Sequence, residues 1–335
     1  MAAYTAIDDP EAFHQTVTWT GNQTARSITL PGDTDMPPAL VWIKEFSSSD
    51  ENSWRLADSA RGVASKWLAT NNDDAEGTSA SIVTALNSDG FSIGTAAAVN
   101  STGDGCIGFC WKESATAGFD MVTYTGNETN RTISHSLSAV PHFMVVKNRT
   151  GSNDWLVYHH KNTTAPETDY LYLNLTSATQ DAAIQWNDTA PTSSVFSVGT
   201  SGYTNGDTDG HVAYLWSEKQ GYSKFGSYIG NDNADGIYVH LGFRPAWVMI
   251  KKSSDTGHWL IFNNKRLGYN VDNQELYAND VTAEGSRTDD TVDFLANGMK
   301  LRSTWDAAND TGTFIYAAFA EAPFVNSEGV PNNAR

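Results

Sequence analysis

The sequence predicts an all-β protein built of three tandem β-sandwich or jelly-roll domains of about 100 residues each. Three observations predict it. A seven-residue strand motif occurs three times. Other landmarks recur with it in unchanged order. Each copy offers seven or eight short alternating or β-branched runs between turn residues, and no segment shows sustained helical periodicity.

The motif reads Pro-Ala-Leu-Val-Trp-Ile-Lys from Pro38 to Lys44, Pro-His-Phe-Met-Val-Val-Lys from Pro141 to Lys147, and Pro-Ala-Trp-Val-Met-Ile-Lys from Pro245 to Lys251. A short unbroken apolar run is what a strand buried on both faces looks like. Proline fits its first residue, where no ladder donor is needed. Alternation points Val41 with Ile43, Met144 with Val146, and Val248 with Ile250 to one face. The other face receives Leu40, Trp42 and their counterparts.

Upstream of each motif stands an aromatic residue and a Gly-Asn turn: Trp19 to Asn22, Tyr124 to Asn127, Tyr228 to Asn231. Downstream come Trp54, Trp155 and Trp259, then a short strand at Phe91, Phe196 and Met299. An aromatic-rich strand and a glutamate (Glu113, Glu218, Glu321) close each copy. Gly21, Gly126 and Gly230 lie 105 and 104 residues apart. That period is too long for a solenoid unit. The copies fall at 17–117, 118–221 and 222–325, after a leader 1–16 and before a polar tail 326–335.

In chain order, the leader carries Asp8, Asp9 and Pro10, a turn or helix-start signal, and reads as a disordered end or a docking arm. The first copy has strands near Val17, Ser27 to Leu30, Leu40 to Lys44, Trp54 to Leu56, Lys66 to Leu68, Phe91 to Gly94 and Cys106 to Lys112. The second has them at Phe119 to Thr125, Trp155 to His159, Tyr170 to Leu173, Ala183 to Trp186, Val195 to Val198 and His211 to Trp216. The third repeats the plan from Phe225 to Phe319.

Acidic side chains number 39 and basic ones 21 in 335 residues, a formal charge of −18. That disfavours nucleic acid and anionic membranes, both polyanions. No apolar run is long enough to span a bilayer, and the N-terminus has no basic region or hydrophobic segment of a secretory signal. Cys106 and Cys110 share a strand face roughly 13 Å apart, too far to bridge, so two reduced, packed thiols are expected. Without a signal, the Asn-x-Thr triplets read as a by-product of Thr- and Asn-rich turns.

Few residues stand in a pattern that carries chemistry. Asn231 to Gly236 resembles the front half of a calcium loop but has Gly242 where the closing glutamate belongs; Asp207 to Gly210 is a weaker case. Both read as turns, with no metal or other cofactor expected. His159 and His160 are adjacent, so on a strand they face opposite ways. No nucleophile-elbow, zinc-protease or phosphate-loop motif occurs, and the protein is expected not to be an enzyme. The repeated Glu113, Glu218 and Glu321 are expected to pair with Lys44, Lys147 and Lys251 as structural ion pairs at the sheet end. Most of the 11 tryptophans fall in strands. Trp67, Trp186 and Trp305 lie nearer loops and are the candidates for a sugar-stacking surface.

The repeats resemble a family of tandem-repeat virion proteins of tailed bacteriophages, mostly of marine bacteria. The residues that carry the likeness are Tyr124 to Asn127, Asn187 to Phe196, Tyr222 to Tyr228, Pro245 to Lys251 and Tyr316 to Phe324, with the opening Ala6 to Pro10. The resemblance implies concanavalin-like jelly rolls and a place in the virion, assembled in the host cytoplasm. It implies other virion proteins as partners, with a host surface glycan and self-association as further candidates. The expected function is host attachment as a tail fibre or adhesin component. The alternative is a capsid decoration protein with no receptor role.

Overall fold

The computed structural model describes residues 4–47, 50–62, 65–266, 270, 274–285 and 292–332; parts of the expected leader (1–3) and tail (333–335) lie outside the described residues. The chain is all-β, in antiparallel sheets.

One sheet order recurs. In the first unit His14–Thr20 pairs with Gly105–Trp111, which pairs with Leu40–Glu45, which pairs with Arg55–Asp58. In the second the same places are held by Phe119–Thr125, Gly210–Trp216, Phe143–Asn148 and Leu156–His159. In the third they are held by Ser223–Ile229, Thr313–Pro323, Phe243–Lys252 and Trp259–Asn263. A smaller sheet lies against each: Arg26–Ile28, Gly90–Ile93 and Val83–Asn87; then Arg131–Ser134 with Val195–Val198; then Tyr238–His240, Gly298–Leu301 and Val292–Leu295. The arrangement is sandwich-like.

The motif strand is buried along its whole length in each unit. Its alternation sorts the cores. Val41 and Ile43 pack under the first small sheet with Ile28, Phe91 and Ile93. Met144 and Val146 do so in the second unit, Val248 and Ile250 in the third. The opposite faces meet one another. Leu40, Trp42 and Trp111 join Phe143, Val145 and Trp216, and Trp247, Met249 and Phe319, in one core common to all three units. Each such side chain contributes roughly 1.5–3 kcal/mol by leaving water. A void of about 40 Å³ remains inside this core, walled by Trp42, Trp111, Trp155, Trp216 and Trp247. The three sheets therefore close around a centre and do not string out in a line.

The Gly-Asn turns have a partner the motifs do not reveal. Asn100, Asn205 and Asn309 are buried, and each accepts from the turn asparagine's backbone N–H 78 residues earlier. Each side-chain amide also donates to two carbonyls, which ties the hairpin to the segment behind it. The glycines are required by close approach. A Cβ on Gly21, Gly126 or Gly230 would stand 1.9, 2.0 or 1.8 Å from a carbonyl oxygen. Trp19 Nε1, Tyr124 Oη and Tyr228 Oη brace the same segment by donating to Val99, Thr204 and Ala308.

The leader departs from the disordered end that its terminal position suggests. From Thr5 it is packed: Ala6 N–H and Thr5 Oγ1 bond to Gln220 O, and Ile7 is buried in the common core. Asp8 accepts from Ser327, so the leader also holds the tail, which turns back at Asn326 to Val330. Cys106 and Cys110 are free and buried.

Candidate functional site

The three units meet at three joints, and one set of bonds is written three times around the ring. Trp155 Nε1 of the second unit donates to Ala69 O of the first at 2.9 Å. Trp259 of the third donates to Tyr172 O of the second, and Trp54 of the first to Tyr277 O of the third, at 2.8 and 2.9 Å. The repeated lysines follow the same cycle. Lys147 Nζ bonds Asp73 O, Lys251 Nζ bonds Thr176 O, and Lys44 Nζ bonds Val281 O. A backbone bond completes each joint: Glu76 N–H to Arg149 O, Thr179 to Ser253, Glu284 to Phe46.

This corrects the expected lysine–glutamate pairs. Lys44 lies opposite Ile107, whereas Glu113 follows Trp111, which lies opposite Leu40. Lysine and glutamate thus sit at opposite ends of the sheet, and the same holds for Lys147 with Glu218 and Lys251 with Glu321. The lysines reach backbone carbonyls, being long enough to cross into the adjoining unit. Burial lowers the ammonium pKa to about 8, 8 and 7 for Lys44, Lys147 and Lys251. The glutamates differ: Glu113 lies beside Asp120, Glu321 pairs with Arg244, and Glu218 is exposed.

The candidate aromatic surface also separates. Trp186 is 1% exposed, in the one-turn helix Ala183–Trp186, with Nε1 donating to Asp169 O; it is a core residue. Trp67 is half-buried beneath Arg55 and against Gly77. Trp305 is half-buried against the third local core. They belong to three different cores and form no common surface. In the Asn231 to Gly236 turn, Asn231 is held by Asn309 and Asp235 pairs with Lys300.

The joints also differ in what fills them. At the first, Asp58 takes the buried Arg61 guanidinium and Tyr214 Oη, and Glu76 bridges Arg61 to Arg149. At the third, Glu11, Gln15, Lys265 and Glu321 leave a space of about 20 Å³, and a shallower one of about 310 Å³ lies beside it between Thr18, Phe46, Arg266 and Glu284. At the second, a cleft of about 650 Å³ lies open between His142, His160, Lys161 and Glu218 on one side and Gln220, Lys224, Phe225 to Ser227 and Tyr316 on the other.

Histidines line this second joint. His142 Nδ1 accepts from Glu218 N–H, which puts the ring proton on Nε2. His160 Nε2 donates to Phe225 O, a carbonyl on the edge strand of the third unit. His159, behind them, donates from Nε2 to Tyr316 O and accepts at Nδ1 from Lys161 N–H. The His142 and His160 rings stand edge to face, centroids 4.4 Å apart. Burial holds all three neutral: His159 falls to about 3, His160 to about 4, and His142 below its ordinary range. Across the cleft Gly226 lies opposite Tyr316. The corresponding pairs are Val17 with Gly108 and Val122 with Ala213. The bulk has moved to the inner strand here, and a Cβ on Gly226 would stand 2.4 Å from Tyr316 Oη.

A legible signal for this cleft existed. The three copies serve as one another's reference. His142 stands where Ala39 and Ala246 stand, and Lys224 stands where Asp120 and Gln15 stand. Among the described residues no group of three His, Cys, Asp or Glu is placed to hold a metal ion. Residues 9–323 match the model of a family described as a domain of unknown function (DUF7483). No curated protein matches the chain.

Proposed function

We propose that this chain, which belongs to the DUF7483 family, is a structural protein on the exterior of a tailed-phage particle and contributes to host attachment through the cleft at its second joint. The virion location draws its support from the resemblance of the repeats. In this reading the three sheet pairs are concanavalin-like jelly rolls, and other virion proteins and a host surface glycan are the partners. The observation that carries attachment is the unequal ring. The second joint holds an open cleft of about 650 Å³ lined with hydrogen-bond donors, against spaces of about 20 and 310 Å³ at the third and a buried ion-pair cluster at the first. Architecture alone has no need of that difference. No catalysis is proposed, since His159, His160 and His142 are each engaged by backbone groups. Binding of labelled protein to host cells tests the reading. Wild-type protein should adhere and His142→Ala should adhere less; adherence no better than a heat-denatured control would sink it.

A second reading is favoured by the threefold recurrence of the joint bonds. A ring with an approximate threefold axis fits a threefold position on a particle shell, as a decoration protein would. Imaging of particles carrying labelled protein separates the two: label on the head supports decoration, label on the tail supports attachment.

A further inference from the structure

We propose that the second-joint cleft binds an acidic sugar, a pyranose carrying a carboxylate, with Lys161, Lys224 and His142 Nε2 receiving the anion. The proposal rests on the attachment reading and gives it a ligand class.

Charge is the first ground. The protein carries 39 acidic and 21 basic side chains. In this cleft the balance inverts: Lys161 and Lys224 face a single carboxylate, Glu218. Donors outnumber acceptors, with the imidazole N–H of His142, the Gln220 amide and the Ser227 and Tyr316 hydroxyls on the lining. Lys224 Nζ donates one proton to His240 O, which anchors it and leaves two for a ligand. A charge-assisted bond to a carboxylate is the strong interaction such a site offers.

The second ground is the departure from the repeat. The place of Lys224 is held by Asp120 and Gln15 in the other units, so of the three only this unit sets a cation there. Ala39 and Ala246 show that the strand start needs no ring where His142 has one.

The third is Tyr316. It is 4% exposed, yet it lines the cleft, and among the described residues nothing bonds its hydroxyl. Burial raises its pKa, so it stays a neutral donor. A hydroxyl that opens on the cleft is free to donate to a ligand oxygen. The cleft volume lies within the roughly 300–1,000 Å³ common for small-molecule sites.

The test is calorimetric titration of the full chain at pH 7 with sodium glucuronate, glucose and inorganic phosphate, beside a host-cell adherence assay. Glucuronate should bind about tenfold more tightly than glucose, and His142→Ala or Lys224→Gln should each weaken it about tenfold. Both variants install residues found in other units, and an unchanged melting temperature certifies the fold. Lys161→Ala, on an exposed position, serves should either variant melt early. Glucose binding as well as glucuronate, phosphate binding as tightly, or no binding at all overturns the proposal. Adherence that glucuronate does not inhibit removes the acidic sugar and keeps attachment, whereas absent adherence removes attachment.

Discussion

Trp155 gives its indole proton to Ala69 O at 2.9 Å, across the joint between the first and second units. Both residues are buried, at 0% and 1% exposure, so no water can replace the bond. Trp155→Phe would strand the carbonyl and leave a gap. The expected loss is about 2–4 kcal/mol in chemical denaturation. Trp67→Phe, on a half-buried ring, is the control. Equal losses for the two would mean that the joint bond adds nothing.

The common core implies a cooperative whole. Residues 118–221 expressed alone would bare Phe143, Val145, Trp155, Tyr214 and Trp216, all buried in the intact chain. An exposed aromatic face of that kind drives association. The fragment is expected to sediment as oligomers or aggregates, and the full chain to melt in one calorimetric transition. A monomeric, cooperatively melting fragment would show that the unit is self-sufficient.

Much of the strand architecture was legible because it rests on period-two patterning. The faces of Val41, Ile43, Met144, Val146, Val248 and Ile250 follow from alternation and stand as read. What the chain order could not reveal was which unit supplies the lysines' partners. Carbonyls offer no residue-type signal, so a carboxylate looked the natural partner for Lys44. Trp186 was misplaced because nearness to a loop was equated with exposure. A one-turn helix ending at the left-handed Asn187 turns that ring inward. The Asn100, Asn205 and Asn309 clamps had a signal, a fixed 78-residue offset from the turn asparagines, with no strand pattern around it to draw notice.

The joint lysines make stability depend on pH. Burial lowers Lys44 and Lys147 to about 8 and Lys251 to about 7, against 10.5 in an unfolded chain. Below about pH 7 both states hold these protons and the fold bears the cost of burying them. Above it the native state releases protons that the unfolded chain keeps, so stability rises with pH. The window runs to 10.5, but Cys106 and Cys110 oppose it from about pH 9, being raised in the fold. Denaturation midpoints should therefore climb between pH 7 and 8.5. With Lys44, Lys147 and Lys251 all changed to Met, the climb should vanish. A triple variant that keeps it would assign the slope to other groups.

At the first joint, the Arg61 and Asp58 side chains are both 0% exposed. Asp58→Ala would leave a buried guanidinium beside Tyr214 Oη with its nearest countercharge gone. Breaking a buried pair from one side costs about 3–5 kcal/mol. Adding Arg61→Met should restore most of that loss, since a neutral chain of similar length needs no partner. Urea denaturation of the single and double variants decides it: a double variant no more stable than Asp58→Ala would mean that the charge was not the cost.

The second joint should fail first in acid. His159 is neutral in the fold and falls to about 3, lowered by burial and then by its neighbour His160. Lys161 and Lys224 stand nearby as cations, and Glu218 as the facing carboxylate. Unfolding frees His159 to its ordinary 6.5, so the unfolded chain binds the proton that the fold refuses. Stability is therefore lost as pH falls from 6.5 toward 3, at a limiting slope of about 1.4 kcal/mol per pH unit for one proton. His159→Asn installs the residue that Asn263 supplies in the third unit. It should cut the slope between pH 4.5 and 6 by close to one proton's worth, while His14, lowered to about 3 in the same way, keeps its own share. Stability measured by denaturant titration across that range reads the difference. A variant as acid-sensitive as the parent would show that the joint takes up no proton at His159 on unfolding.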